Sequence, residues 1–235
     1  MLTIWRFTDG KAGHDAQSIG LCHALNKIET SQCYDLQAKS LLSCLRSFLF
    51  GRFLNNEELP NPDLIIGAGH KTHISMLCAK HKHGGKTIVL MKPSLPLSLF
   101  DKCIIPEHDN IEEKANVITT IGALNAVEYN PNKDENIGLI LLGGSSAHFE
   151  WDEKKIINQV NTIININEDI HWFIFDSRRT PDELLKKLDK NKNITLMPIE
   201  STGSSDLYKK MHAAKTIWVS MDSVSIVYES LSSGA

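Results

Sequence analysis

The chain has 235 residues, of which 42% are hydrophobic and 23% are charged. These values are typical of a globular protein and exclude a disordered chain, a collagen or a coiled coil. The formal net charge of -3 leaves no basic excess, so nucleic-acid binding as the main function is excluded as well. At roughly 150 residues per domain, the length fits one large domain or two small ones.

The cysteines and the N-terminus indicate a cytoplasmic protein. Five cysteines, an odd number without a CxxC pair, are expected to be reduced thiols. The longest apolar runs, such as Ile137–Leu142, are too short to span a bilayer. Since the N-terminus has no basic segment followed by an apolar one, we expect no secretory signal.

The first half of the chain alternates predicted strands and helices, which indicates a parallel sheet with helices on both faces. Apolar runs predict strands at Leu2–Phe7, Cys33–Leu36, Asp63–Ile66, Thr87–Met91, Cys103–Ile105 and Val117–Ile121. Helices are predicted from the spacing of Leu21, Ala24, Leu25 and Ile28, over Leu41–Leu54, and from about His70 to His83, before Gly84-Gly85.

A polar stretch without periodicity, Glu128–Asn136, is predicted to be the domain linker. A second series of elements follows it. Strands are predicted at Ile137–Leu142, Trp172–Phe175, Ile194–Met197 and Ile217–Val219. Helical stripes are predicted over Ile156–Ile164, Leu184–Leu188, Leu207–Met211 and Val224–Leu231. The chain ends where a further strand is expected, so the second domain is either cut short or unusually small.

The loop after the first strand, Asp9-Gly10-Lys11-Ala12-Gly13-His14, is the first candidate site. Its glycines allow a tight turn, and the free amides at the start of a helix favour an anion. His14 is a candidate general base, because an imidazole titrates near neutral pH. The alternative is that His14 is an ordinary residue of the first helical turn.

Two further candidate loops follow strands of the second series. Gly143-Gly144-Ser145-Ser146 offers amides and hydroxyls suited to a diphosphate, at the place where open α/β sheets bind ligands. Arg178 and Arg179 follow the next strand and can clamp a phosphate or a carboxylate. The alternatives are a glycine-rich turn without a ligand and a solvated arginine pair before a helix.

The last candidate segment is Ser220–Ser225 together with Glu229. Asp222 or Ser223 would cap the helix, and Glu229 could accept the hydroxyls of a ribose; the alternative is ordinary capping with an exposed glutamate. A cluster of histidines and one cysteine matches no established zinc spacing, so no metal site is predicted. Its members are His70, His73, Cys78, His81 and His83.

Taken together, these loops resemble the mitochondrial-fission Elm family, whose bacterial members are described as predicted nucleoside-diphosphate-sugar enzymes. The similarity in order and spacing covers nearly the whole chain, and Ser177–Pro181 is its most specific piece. The similar segments are Gly10–His14 with Gln17-Ser18, Gly143–Ser145 with His148 and Trp151-Asp152, Ser177–Pro181, and Ser220–Ser223 with Glu229.

That family in turn resembles the GT-B glycosyltransferases, an α/β fold of two facing Rossmann-like domains with parallel sheets. The resemblance implies an acceptor-side domain over residues 1–127 and a nucleotide-sugar-binding domain over 137–235 that lacks its last segment. It implies that His14, with Asp9 nearby, deprotonates the acceptor. The implied donor site, with arginines in place of a metal, comprises Gly143, Gly144, Ser145, Ser146, Arg178, Arg179, Ser223 and Glu229.

The first hypothesis is therefore a glycosyltransferase that uses a nucleoside-diphosphate sugar as its substrate, with no separate cofactor. This hypothesis includes an acceptor at the inner face of the membrane, with Phe48–Phe53 facing the lipid. Two alternatives stay open: a non-catalytic GT-B-like adaptor and a nucleotide-sugar epimerase. The oligomeric state is open too.

Overall fold

The computed structural model describes residues 1–40, 43–44, 59–112, 114–146, 149–188 and 193–235. It confirms the predicted α/β class with parallel sheets. Contacts divide the chain into two compact units, Met1–Ala126 and Val127–Ala235. Apart from Ser43 and Cys44, the helix predicted over Leu41–Leu54, with its lipid-facing Phe48–Phe53, lies outside the described residues, as does His148. No helix among those residues is long and apolar enough to cross a membrane.

The first unit contains a six-stranded parallel sheet in the order β2-β1-β3-β4-β5-β6. Its strands are β1 (Leu2–Thr8), β2 (Ser31–Gln37), β3 (Leu64–Ala68), β4 (Lys86–Leu90), β5 (Lys102–Pro106) and β6 (Val117–Thr120). The helices are α1 (Ala12–Ile28) and α2 (His73–His83), the latter preceded by a 3-10 turn at His70–Thr72. The crossover connections between these strands keep them parallel, so their carboxyl ends lie at one edge of the sheet.

The buried face of α1 differs in part from the predicted one, since Leu21 and Leu25 pack against the core as predicted but the other two residues of the stripe do not. Ala24 and Ile28 are exposed, whereas Gln17, Ser18 and Cys22 are buried. The physical reason is Arg6 on β1, whose guanidinium is buried beneath the helix and needs polar partners. A face selected for apolar residues alone would remove the acceptors that α1 supplies to this charge, Ser18 and Asp15.

The second unit contains a four-stranded parallel sheet in the order β10-β7-β8-β9. The strands are β7 (Asp134–Leu141), β8 (His171–Phe175), β9 (Ile194–Met197) and β10 (Ala214–Val219). The helices are α3 (Glu153–Ile166), α4 (Ser204–Ala213) and α5 (Val224–Ser233). A 3-10 turn at Leu185–Lys187 replaces the helix predicted over Leu184–Leu188, although all three leucines are buried in the core.

The polar stretch predicted to be a linker is partly a strand, because β7 begins at Asp134 rather than at Ile137. Asp134 pairs with Ala214 of β10. Just before the strand, Lys133 Nζ donates to Met211 O at 2.7 Å, and Asn130 N donates to Ser233 O at 3.2 Å. Polar side chains can occupy the start of this strand because they are exposed there while their backbone is paired.

Candidate functional site

Asp9 and His14 form a hydrogen-bonded pair at the carboxyl end of β1. His14 Nδ1 lies 3.0 Å from Asp9 Oδ2 and 3.1 Å from Asp9 Oδ1. The Asp9 side chain is fully buried and that of His14 is 17% exposed. Burial works to raise the pKa of Asp9, but the hydrogen bonds from the Lys11 amide and from His14 outweigh it and lower the pKa. An ionised Asp9 therefore orients a partly accessible imidazole.

Gly69, after β3, allows the imidazole to take this position. A Cβ at Gly69 would stand 2.3 Å from His14 Nδ1 and 3.1 Å from Asp9 Oδ2. Gly69 also has φ of 82°, a value that other residues rarely adopt. Gly69 thus belongs to the site, although the sequence analysis did not select it as a candidate.

A charge cluster around the buried Arg6 fixes the start of α1 against the sheet. Arg6 Nε donates to Asp35 Oδ1 at 2.7 Å, and Arg6 NH1 donates to Ser18 Oγ at 3.0 Å. Asp15 accepts from Arg6 at 3.4 Å and from the hydroxyl of Thr8. Since α1 carries His14, this cluster holds the helix that presents the imidazole.

Asp222 connects the loops at the carboxyl edge of the second sheet. Its side chain is fully buried, and Arg179 NH2 lies 2.7 Å from Asp222 Oδ2. Gly144 N donates to Asp222 Oδ2 at 3.0 Å, and Ser220 Oγ donates to Asp222 Oδ1 at 2.6 Å. One carboxylate thus ties the loops after β7, β8 and β10 together, a stronger role than the helix cap predicted for it.

Thr180 adds a second set of bonds between two of these loops. Its hydroxyl donates to the carbonyl oxygen of Gly143, and it accepts from Ser177 N at 2.9 Å. Thr180 is 7% exposed. The sequence analysis did not select Thr180, because nothing in its own segment showed that its hydroxyl would reach the loop after β7.

The two glycines of the loop after β7 are required by close packing. A Cβ on Gly143 would stand 2.0 Å from Asp222 Oδ2, and one on Gly144 would stand 1.9 Å from Arg179 O. Their amides point inward too: Gly143 N donates to Ser220 Oγ at 2.7 Å and Gly144 N to Asp222. These two amides therefore hold the loops of the edge together, whereas the sequence analysis predicted that they bind a diphosphate.

The exposed residues at this edge include Ser145, Arg178 and Arg179. Within the described part of the chain, no acidic side chain lies within ion-pair distance of Arg178, unlike Arg179, which is held by Asp222. The N-cap of α5, Ser223, makes no side-chain cap hydrogen bond. The uncapped N-terminus of α5 and the unpaired Arg178 each favour an anionic ligand.

Glu229 lies on α5 and is 7% exposed, so it is not the solvated glutamate of the alternative interpretation. Burial raises the pKa of Glu229 to about 7, although the hydrogen bond from the Tyr208 hydroxyl opposes the change. Burial and the nearby Glu229 charge raise the pKa of Tyr208 to about 12. Tyr208 is a second partner that sequence reasoning missed, since it lies one helix away.

The histidines of the cluster for which no metal site was predicted lie in different environments. His73 is buried, with its Nδ1 3.3 Å from Ser94 Oγ and its ring edge-on to Phe100. Burial, with His70 nearby, lowers the pKa of His73. The His83 ring lies 4.8 Å from that of Trp5. Among the described residues there is no group of three potential ligands that could hold a metal ion.

Sequence comparison relates the chain to one family. The profile described as "Mitochondrial fission ELM1" matches residues 12–235. The chain is 26% identical to the uncharacterized protein RP120 of Rickettsia prowazekii (strain Madrid E), in an alignment that covers 99% of this chain and 81% of the relative.

Structure comparison relates the fold of the chain to solved proteins at low sequence identity. MnaA from S. aureus, solved with UDP, superposes with a TM-score of 0.57 at 14% identity, covering 96% of this chain and 75% of that one. A candidate UDP-N-acetylglucosamine 2-epimerase from Listeria monocytogenes superposes with a TM-score of 0.59 at 11% identity, covering 97% and 76%. At such identities the likeness shows the fold alone, and the predicted GT-B-like fold is confirmed.

Proposed function

The chain belongs to the mitochondrial fission ELM1 family, and from that premise we propose that it is a glycosyltransferase whose donor is a nucleoside-diphosphate sugar. The observation that carries this proposal is the carboxyl edge of the second sheet. Three loops meet there around the buried Asp222. Such an edge is where open α/β sheets bind nucleotides.

The donor diphosphate binds where positive groups face outward. Asp222 neutralises Arg179 and fixes the loop that carries Arg178, so Arg178 is the arginine left to contact a phosphate. Ser145 and the N-terminus of α5 at Ser223 supply further donors. That one fold neighbour, MnaA, was solved with UDP supports this class of ligand.

Glu229 receives the ribose in this proposal. Its carboxyl group is anchored by the Tyr208 hydroxyl, which leaves acceptor positions for ribose hydroxyls. Because burial raises the pKa of Glu229 to about 7, donor affinity that depends on the carboxylate falls below that pH.

His14 is the proposed general base. Since the ionised Asp9 accepts the Nδ1 proton, Nε2 is left as the proton acceptor. His14 Nε2 takes the proton of the acceptor hydroxyl, the oxygen forms a bond to the anomeric carbon, and the nucleoside diphosphate leaves with the bonding electrons. A base placed in this way contributes about 10²–10⁴-fold to the rate. The proposal also includes a membrane-associated acceptor.

Calorimetry with UDP, GDP and ADP sugars tests the donor site. We expect one of them to bind, and Arg178→Ala to weaken that binding by about 10- to 100-fold, because a charge-assisted hydrogen bond is lost. Lys209→Ala, which removes an exposed positive charge from α4 in the same unit, is the matched control and leaves the affinity unchanged. A full chain that binds none of these sugars at millimolar concentration refutes the proposal.

A second test separates binding from chemistry. His14→Ala is expected to retain donor affinity and to lose transfer to an acceptor, measured with a radiolabelled sugar and lipid or soluble acceptors. If both His14→Ala and Glu229→Ala keep full function in cells, the proposed chemistry is dispensable and the protein acts as an adaptor.

The second candidate function is epimerisation of the donor sugar. It is favoured by the fold likeness to a candidate UDP-N-acetylglucosamine 2-epimerase. Product analysis by mass spectrometry and NMR distinguishes the two reactions. A transferase yields a glycosylated acceptor, whereas an epimerase yields an altered sugar without any acceptor.

A further inference from the structure

Two cysteines of the first unit lie in contact outside the proposed site. Cys22 on α1 and Cys33 on β2 have their Sγ atoms 3.5 Å apart. Cys33 is exposed, while Cys22 is 6% exposed. An accessible thiol with a second thiol directly behind it is the arrangement of peroxide-reactive cysteine pairs.

The surroundings of Cys33 favour its thiolate. The hydrogen bond from Cys22 lowers the pKa of Cys33, and the Arg6 guanidinium adds to this, while burial and the nearby Asp35 oppose it. The same hydrogen bond, together with burial, raises the pKa of Cys22. Arg6 is itself fixed by its bonds to Asp35 and Ser18, so its charge stays beside the sulfur.

We propose that Cys33 is a peroxide-reactive site and that Cys22 closes the reaction to an intramolecular disulfide. The Cys33 thiolate attacks one oxygen of hydrogen peroxide and breaks the O–O bond, which gives a sulfenic acid and hydroxide. The Cys22 sulfur then attacks the sulfur of that sulfenic acid and expels hydroxide. In sum, two thiols and one peroxide become one disulfide and two waters, with sulfur oxidised and peroxide reduced.

The two sulfur atoms need to move only a short distance in the second step. A disulfide bond is about 2.05 Å long, so the two sulfurs approach by about 1.5 Å from their present contact. The bond would join α1 to β2, which lies at the edge of the sheet. It would therefore covalently fix the helix that carries His14, independently of any donor sugar.

A second thiol pair in the same unit serves as an internal comparison. Cys78 lies near Cys44, which is 1% exposed. There, burial first and the interactions with Cys44 second raise the pKa of Cys78 to about 11. Because its thiolate is disfavoured, Cys78 is expected to resist peroxide.

The test treats the full chain with hydrogen peroxide, blocks the remaining thiols and identifies peptides by mass spectrometry. We expect a Cys22–Cys33 cross-link that forms at least about 10-fold faster than oxidation of Cys78. In Cys22→Ser, Cys33 accumulates as a sulfenic acid that dimedone traps. Cys78→Ser is the matched control and leaves the cross-link rate unchanged.

Two results would overturn the proposal. One is oxidation of Cys33 at the same rate as Cys78 in the unaltered chain. The other is conversion of Cys33 to sulfinic acid while Cys22 stays a free thiol. Both readings come from the unaltered chain, so they do not depend on whether a variant folds.

Discussion

Replacing Gly144 by alanine tests whether the edge of the second sheet is built as described. The added Cβ would stand 1.9 Å from Arg179 O and 2.2 Å from Arg179 C, where ordinary contact begins at 3.4 Å. The two loops must therefore separate by about 1.5 Å, since the clash is with backbone and not with a flexible side chain.

The expected cost is about 3 kcal/mol. Overpacking of a tight backbone contact costs about 1–3 kcal/mol. Separation of the loops also weakens the hydrogen bond from Arg179 NH1 to Gly144 O, now 3.1 Å, at about 1 kcal/mol. With an m-value of about 2 kcal/mol/M in urea, the unfolding midpoint falls by about 1.5 M.

The assay is urea unfolding followed by tryptophan fluorescence. Three of the four tryptophans, Trp151, Trp172 and Trp218, lie in the second unit, so the signal reports mainly on it. The matched control is Gly203→Ala, also in that unit, where a Cβ meets nothing closer than 3.9 Å; its cost stays below about 1 kcal/mol. Equal midpoints for the two variants would refute the close packing of Gly144 against Arg179.

Three further variants probe other parts of the chain. Gly69→Ala should destabilise the first unit about 2 kcal/mol more than Gly10→Ala in urea unfolding, because both have positive φ but only at Gly69 would a Cβ meet His14; equal costs would contradict the contact. Glu229→Gln should stabilise the protein by up to about 3 kcal/mol at pH 8 and by little at pH 4. Burial raises the folded-state pKa of Glu229 from 4.5 to about 7, so the contribution of Glu229 to the free energy of unfolding is complete below pH 4.5 and is lost as pH rises through 7. A stability difference between the variant and the unaltered protein that does not change with pH argues against this burial. Asp101→Asn should cost about 2 kcal/mol at pH 7, because Asp101 accepts from Lys80 Nζ at 2.6 Å and from Thr87 N at 2.8 Å. Burial works to raise the pKa of Asp101, but those bonds outweigh it and lower the pKa well below its usual range, so the cost should shrink progressively as pH falls below 4; a cost at pH 2 that equals the cost at pH 7 excludes this account.

The strands could be predicted from sequence because their signal is local. Continuous apolar runs such as Trp172–Phe175 read as buried parallel strands, and Gly84 ends α2 with φ of 77°. The face of α1 could not be predicted in the same way. Its buried Ser18 is explained by Arg6, a residue of another element whose side-chain direction the local pattern does not reveal.

The candidate loops could be located by sequence, but the bonds between them could not. Gly143 and Gly144 were selected for amides that would bind a ligand, and the structure shows those amides bound to Ser220 and Asp222, nearly eighty residues away. Thr180 and Tyr208 likewise act through partners on other elements. Spacing within one segment carries no information on such contacts.

The position of β10 beside β7 sets the order in which the second unit is completed during synthesis. Sequence neighbours β7, β8 and β9 can pair as they emerge, but β7 gains its other neighbour only when Ala214–Val219 is available. Until Asp222 follows, the amide of Gly144 and the guanidinium of Arg179 lack their shared acceptor. Long-range strand pairing is slow, because the loop must close before contacts form. A ribosome-bound chain that stops short of Ala214 would thus hold only three strands of this sheet, and the carboxyl edge assembles only once Asp222 follows.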